Sequence, residues 1–414
     1  MKNKILSSFS MKLIHFLRSF NKEISNLLGS FSKEKLKIGI ISYYFEPPTI
    51  SGVGVHSRLL AEFLAKNNCE VHVFCSNTDY KAYKRENVVV HNIGRTLSSV
   101  NGPSSKKRLE YFLFEAEVVK ALIRENTKRG FDIIHTHGSL TKAAFLLKKI
   151  CGLKWVHTFH ALERVRVRKL SKEEKHFEDL ISWIESTVNY CNGAIYVSNS
   201  LYRQGKRLYP IKKNIVIPNG VDTDFFKYFP IKKKNVLFVG RFSKEKGIEM
   251  FPDIIEKVME VEGATITILA PYTVLPKDLE NIWDKICLCE RKYKGRVKII
   301  TKPMDQKYVA DLYRNCQLYI QPSKYESFGL CIIEAMATGR PVVAFRVGGI
   351  PELVGDCGFV VDDKKSFLSK IEELLTNREL CHGIGEKARA RAKKFEWDAI
   401  AKKVISYYKV VLND

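Results

Sequence analysis

Glu326 and Glu334 lie in the largely apolar run "KYESFGLCIIEAMATGRPVVAFRVGGIPELV" (324–354), with seven residues between them. A carboxylate buried without a partner costs several kcal/mol, so both must face polar groups. Pairs of neutral hydroxyls meet that need, because a carboxylate accepts two hydrogen bonds in a defined geometry. One glutamate on a ribose and one on a sugar is the chemistry this pair points to. Glu326 follows "QLYIQPSKY", which reads as a strand and its exit loop, while Glu334 falls in a helix beginning near Phe328.

A second set of residues could meet the phosphates of the same ligand. In "VGRFSKEKG" (239–247) a strand ends at Gly240, Arg241 follows, and Lys246 comes just before Gly247. A planar guanidinium fork and a point-charge ammonium beside a pliable backbone suit a diphosphate. The bland alternative is a pair of solvated loop charges. The glycine and Ser/Thr spacing is not that of a P-loop. In "SGVGVHS", Gly52 and Gly54 let the backbone approach a ligand ahead of a helix N-terminus, although glycines before helices often serve only the turn. His160, in "HTFHA", reads by itself as a strand-end core histidine. His135 and His137 alternate on a strand; their i, i+2 spacing suits a metal pair, but a structural or acceptor-side role is preferred. No metal site is expected.

The elements that must position these residues form two sets. The body opens with the strand "KLKIGIISYYF" (35–45), the glycine loop, the helix "VHSRLLAEFLAKN" and the strand "EVHVFCS", a βαβ unit. Strands at 87–93, 131–138, 154–161 and 193–200 follow, and "NIVIPNGVD" (214–222) closes the set. "IKKKN" (231–235) reads as a linker. The pattern then restarts, with strands near 235–240, 264–270, 297–301, 317–323, 341–347 and 358–363. This alternation predicts an α/β protein of two Rossmann-like doubly wound domains facing across a deep cleft, with ligands beyond the carboxyl ends of the strands. The expected divisions are a basic amphipathic extension (1–34), a first domain (35–212), a second domain (213–395) and a closing helix (396–414).

Composition narrows the partners less sharply. The chain has 414 residues, enough for two cores, and a formal net charge of +24. That charge suits nucleic acid, an anionic membrane surface or phosphate-bearing substrates, or reflects only a lysine-rich proteome. The ten cysteines are scattered, and the one close pair, Cys287 and Cys289, has no second pair at zinc spacing. Reduced thiols in a cytoplasmic protein are expected. No apolar run reaches membrane-spanning length. Residues 1–36 carry seven lysines and arginines against two glutamates, with Ile5, Phe9, Leu13, Leu17 and Phe20 at helical spacing. A helix lying on an anionic leaflet and an extra helix packed on the body are both open readings.

Taken together, "SGVGVHS", "DIIHTHG", "HTFHA", "VSNS", "IPNGVD", "GRFSKEKG" and "ESFGLCIIEAMATGRPVVAFRVGGIPELV" resemble, in order, the family-four retaining glycosyltransferases of the GT-B fold. The resemblance spans roughly residues 37 to 400, and the closing "FEWDAIAKKVISYYKVVL" is similar to the family's crossover helix. It implies sugar transfer from a UDP-, GDP- or ADP-sugar with retention of configuration, no cofactor and no metal. It assigns Arg241 and Lys246 to the donor diphosphate and Glu334 to the ribose hydroxyls. Glu326 falls beside the donor sugar, and the amides of Ser327, Phe328, Gly329 and Leu330 form the loop that holds it. Gly52 and Gly54 match the loop closing over the diphosphate, and His160 the histidine reaching the sugar from the first domain. The departing phosphate then assists deprotonation of the acceptor, with no protein nucleophile. Ser51 stands where many members have a second glycine, which matters only if that position needs positive φ.

Two other classes compete. A nucleotide-sugar epimerase of this architecture needs no second sugar acceptor. A basic nucleic-acid-binding protein would bind polynucleotide through its charge alone, and no nucleic-acid partner is expected. The basic segments "GPSSKKR" (102–108) and "ERVRVRK" (163–169) lie in the half expected to hold the acceptor, so a lipid-linked or phosphate-bearing acceptor at the cytosolic membrane face is expected.

Overall fold

The computed structural model describes residues 35–45, 51–76, 83–85, 87–93, 104–138, 141–165, 185–231, 233–271 and 277–413. The N-terminal extension, residues 102 and 103 of "GPSSKKR" and everything beyond Val165 in "ERVRVRK" lie outside them; residues 104–108 are described as helical backbone only. The chain divides into two compact units. One runs to Val197 and includes Tyr202–Ile217 and the chain from Ala401; the other comprises Ser198–Leu201 and Pro218–Ile400.

Among the described residues the first unit is built on eight strands: β1 (Leu36–Ile41), β2 (Cys69–Cys75), β3 (Tyr83–Arg85), β4 (Val88–Asn92), β5 (Ile133–His137), β6 (Lys154–Phe159), β7 (Gly193–Tyr196) and β8 (Asn214–Val216). Their order is β3-β4-β2-β1-β5-β6-β7-β8, and only β3 runs antiparallel to its neighbour. The central strands are continuous apolar runs, as a sheet covered on both faces requires: Ile38, Ile40, Val71, Val73, Ile133, Trp155 and Val156 are all buried. Strand order reverses between β1 and β5, which pair in parallel from Ile38 opposite Ile133 to Ile41 opposite Thr136. The helix Trp397–Leu412 contributes Tyr407, whose hydroxyl donates to the carbonyl of Lys213 at 2.9 Å, and Tyr408, which bonds His135 at 2.6 Å.

Among the described residues the second unit has six parallel strands: β9 (Asn235–Val239), β10 (Thr265–Leu269), β11 (Val297–Ile300), β12 (Leu318–Gln321), β13 (Val342–Phe345) and β14 (Gly358–Val361). Their order is β11-β10-β9-β12-β13-β14. Counted from the unit's own first strand, this is the doubly wound order 3-2-1-4-5-6, whose ligand site lies where the order reverses. Here that point falls between β9 and β12.

Three expectations are corrected. The changeover falls between Ile217 and Pro218, not 212 and 213, because β8 completes the first sheet by pairing with β7. Residues 231–235, of which Lys232 lies outside the described residues, do not divide the two units. The chain ahead of them is already tied into the second unit, where Arg314 donates to the Phe225 carbonyl (2.8 Å), Arg389 to those of Thr223 and Phe226 (both 3.2 Å), and Arg340 to that of Phe229. The first helix runs Gly52–Lys66, so Gly52 and Gly54 lie in its opening turn rather than in a loop before it.

Candidate functional site

In the second unit the residues singled out by sequence meet where strand order reverses. β9 ends at Val239, Gly240 donates to the Leu269 carbonyl at 3.0 Å, and Arg241 begins the exit loop. A single 3-10 turn, Lys244–Lys246, leads to Gly247 at φ +71°. A side chain at Gly247 would collide with the Pro322 carbonyl oxygen, so the loops beyond β9 and β12 touch backbone to backbone only because this residue is glycine. The Lys324 amide, donating to the Glu245 carbonyl at 2.8 Å, fixes the same approach.

That approach brings Lys246 Nζ to 2.6 Å from Glu326 Oε2. Their side chains are only 19% and 16% exposed. Burial by itself would lower the lysine pKa, but the Glu326 charge and hydrogen bond outweigh it and hold the ammonium above its ordinary range. Arg241 differs: its side chain is 65% exposed and bonds Glu245 Oε2 at 3.1 Å, leaving the rest of its fork accessible. The Glu326 carbonyl accepts from the Gly349 amide at 3.1 Å, and Gly348, at φ +52°, leaves no room for a side chain against that oxygen. Glu326 is therefore held by main chain as well as by Lys246.

The sugar-loop residues follow directly. Ser327 Oγ bonds the Tyr325 hydroxyl at 3.3 Å, and Phe328 is buried against Phe395. Gly329, at φ +105°, turns the chain into the helix Leu330–Ala337, whose first free amides face the loop side. Glu334, in that helix, accepts from the Tyr313 hydroxyl at 3.1 Å. Cys331 sits between the two glutamates, and burial pushes its thiol up to about 12, which disfavours the thiolate. A loosely held guanidinium, a buried ammonium paired to a carboxylate, a helix N-terminus and a second carboxylate make a site for a diphosphate bearing hydroxylated groups.

In the first unit Gly52, Gly54 and His160 surround the other reversal. Ser51 caps the first helix, its Oγ accepting from the Gly54 amide at 3.4 Å, and its φ of −142° is ordinary extended backbone. The serine in place of a glycine is thus compatible with the fold. His160 follows β6, and its Nε2 lies 3.1 Å from His137 Nδ1 at the end of β5. His56, in the first helix, places its ring 4.5 Å from that of His160 and 5.3 Å from that of His137. Burial holds His137 well below the ordinary histidine range and lowers His160 to about 4, so both are neutral imidazoles at pH 7. His135 is structural: its two ring nitrogens bond Tyr408 Oη at 2.6 Å and Thr158 Oγ1 at 2.7 Å. Sequence spacing pairs His135 with His137, whereas the fold gathers His137 with His56 and His160. His56 and Tyr313 were missed by sequence reasoning; His56 lies within the quoted "SGVGVHS", and no local signal marks Tyr313.

Residues 50–225 match the family model described as Glycosyltransferase Family 4, and residues 233–377 match that of Glycosyl transferases group 1. The chain is 27% identical over 420 residues to the D-inositol 3-phosphate glycosyltransferase of Corynebacterium urealyticum, covering 90% of this chain and 95% of that one. Among solved structures it resembles sucrose-phosphate synthase from Thermosynechococcus elongatus, with a TM-score of 0.79 and 22% identity over 92% of this chain and all (100%) of that one. It also resembles HepE from Anabaena in complex with UDP and glucose, with a TM-score of 0.66 and 18% identity over 91% of this chain and 100% of that one.

Proposed function

The chain belongs to the family-four glycosyltransferases, and from that premise we propose that it moves a sugar from a nucleoside diphosphate to an acceptor hydroxyl with retention of configuration. The observation that carries the site assignment is the Lys246–Glu326 pair at the reversal between β9 and β12, with the open fork of Arg241 beside it. A departing nucleoside diphosphate gains charge in the transition state, and preplaced cations stabilise it without reorganising. Arg241 and Lys246 fill that role, which makes the reaction independent of a metal ion. Glu334 holds the ribose hydroxyls. Glu326, fixed by Lys246 and by the Gly349 amide, meets the sugar. The helix amides after Gly329 complete the second unit's donor contacts, and the family resemblance is what gives Gly52, Gly54 and His160 a part in donor binding. Structural neighbours solved with UDP and with ADP leave UDP-, GDP- and ADP-sugars all as candidate donors.

The acceptor carries negative charge. Support comes from the +24 formal charge and from a relative named for inositol 3-phosphate. A lipid-borne acceptor is favoured by the helix Ser104–Arg129, which begins within the basic stretch 102–108 and exposes Leu109, Phe112 and Leu113 (53%, 54% and 47%) at i, i+3, i+4 spacing. No helix among the described residues is long and apolar enough to cross a membrane. The proposed arrangement is a peripheral enzyme at the cytosolic face, drawn there by these residues and by the extension 1–34.

Incubation with radiolabelled UDP-, GDP- and ADP-sugars, with inositol phosphate or a lipid extract as acceptor, tests the reading. A labelled product with the donor's anomeric configuration is expected. Epimerised donor without any acceptor product overturns it. Flotation with anionic but not neutral vesicles, weakened by salt and lost on deleting residues 1–30, is expected for the membrane arm; no flotation at low salt removes that arm and leaves the transferase intact.

A further inference from the structure

We propose that His56, His137 and His160 form a three-histidine site for a divalent transition-metal ion of the zinc class. One ligand atom from each residue lies within 4.8 Å of the other two. A tetrahedral zinc ion with Zn–N bonds of ~2.0–2.1 Å needs its nitrogens ~3.3 Å apart. The three ring centroids lie 4.5, 5.3 and 5.4 Å apart, so ring rotations bring one nitrogen of each, Nε2 in the case of His137, around a single point.

Two observations point to a ligand. His137 is 1% exposed, and its Nε2 has no hydrogen-bond partner among the described residues, an arrangement costing ~1–3 kcal/mol if nothing ever meets it. The second is that a helix and two strand ends bring three imidazoles into one cluster, although nothing in the local sequence places them together. Imidazole donors select zinc, copper, nickel or cobalt over calcium or magnesium. Three protein ligands leave a fourth position for water or a substrate hydroxyl, and the partial exposure of His160 provides the way in.

A second cluster, His72, His91 and Glu125, is equally compact but differs in its surroundings. Glu125 is engaged by Arg129 at 3.3 Å, Arg124 at 3.5 Å and Lys128 at 3.6 Å. Those three cations both occupy the carboxylate and repel a dication, so the second cluster serves as an internal control.

The consequence for the enzyme rests on the role given to His160 above. A metal ion on that imidazole removes it from the donor sugar, so the ion inhibits transfer and a chelator restores it. This is a site for restraint, not for catalysis.

Cobalt titration of the full chain tests the site without reference to activity. One equivalent of Co²⁺ is expected to give the intense visible bands of a tetrahedral nitrogen-bound ion, displaced by Zn²⁺. His56→Ala and His137→Ala should each weaken binding at least about tenfold, since even loss of an outer partner costs 10–100-fold, while His91→Ala should not. Weak octahedral-type absorption in the unaltered protein overturns the proposal, whether or not the variants fold. So does unchanged affinity in folded His56→Ala and His137→Ala. Stoichiometric binding that leaves transfer unaffected upholds the site and overturns the role of His160.

Discussion

Beyond the reversal between β1 and β5, the first unit presents imidazoles that burial keeps neutral; beyond the reversal between β9 and β12, the second presents an ammonium–carboxylate pair and an open guanidinium. The sheets share one winding logic, so the difference lies in the loops. A buried charge survives only with a partner, and the second unit supplies Glu326 for Lys246, while Arg241 stays largely in solvent beside Glu245. The first unit avoids the need by burying groups that can shed their charge. In the proposed reading the diphosphate meets the second unit's cations, while the glutamates there and the neutral His160 meet uncharged hydroxyls.

The sharpest way to break this comparison is to remove one group from each side. Lys246→Ala should lower turnover about 10²–10³-fold, as loss of one preplaced donor to a developing anion does. His160→Ala, losing a neutral hydrogen bond worth ~1 kcal/mol, should cost only about tenfold. Arg241→Ala should resemble Lys246→Ala. Steady-state kinetics on variants with unchanged circular dichroism decide the order. A larger loss at His160 would show that the first unit, not the second, carries the charge chemistry.

Within the second unit the two glutamates should separate. Glu334→Gln is expected to raise KM for the donor about tenfold with little change in kcat, because ribose hydroxyls are bound equally in ground and transition states. Glu326→Gln should lower kcat by a similar factor, since its partner Lys246 loses its fixed position. Calorimetry with free nucleotide gives an independent reading: weakened by Glu334→Gln, nearly unchanged by Glu326→Gln. The reverse ranking exchanges the two roles.

Much of this site is legible in sequence because its pieces are local. Arg241 and Lys246 sit at a strand end defined by "VLFVG", and Glu326 and Glu334 flank a glycine that starts a helix. The pairing of Lys246 with Glu326 spans 80 residues and depends on Gly247 letting two loops touch, which no local pattern encodes. The same holds for His56, His137 and His160, which come from a helix and two strand ends. The unit boundary was misplaced for another reason: β8 has only three residues, too few to tell by periodicity which sheet it joins.

The two units should also respond to pH in opposite directions. His160 and His91 are lowered from 6.5 to about 4, and His157 to about 3, chiefly by burial. Above pH 6.5 these groups are neutral whether the chain is folded or not, and the first unit keeps its full stability. As pH falls from 6.5 toward 4, the unfolded chain takes up protons that the folded unit refuses, and stability is lost by upwards of ~1 kcal/mol per histidine. Lys246 is raised, so its contribution is complete below 10.5 and is lost only as pH climbs through its folded value. Hydrogen exchange followed peptide by peptide at pH 7 and pH 4.5 should show opening around β5 and β6 before β9 and β12. Simultaneous opening would mean that the buried imidazoles are not what limits the first unit.

The smallest effect is expected at Ser51, where the two halves of the comparison meet ordinary helix chemistry. Ser51→Gly installs the glycine that many family members carry. At φ −142° the position asks for no left-handed freedom, so glycine gains nothing in the folded state. It gives up a long capping bond of 3.4 Å, and glycine at an N-cap costs only a few tenths of a kcal/mol relative to serine. It also adds freedom to the unfolded chain, worth roughly 0.4–1 kcal/mol. Thermal melting should therefore fall slightly, by about 1 kcal/mol of stability or less, while KM for the donor stays the same. A severalfold rise in kcat/KM instead would show that Ser51 restrains the turn at Gly52 and Gly54 during the reaction, and that the first unit's role is to move as well as to present neutral donors.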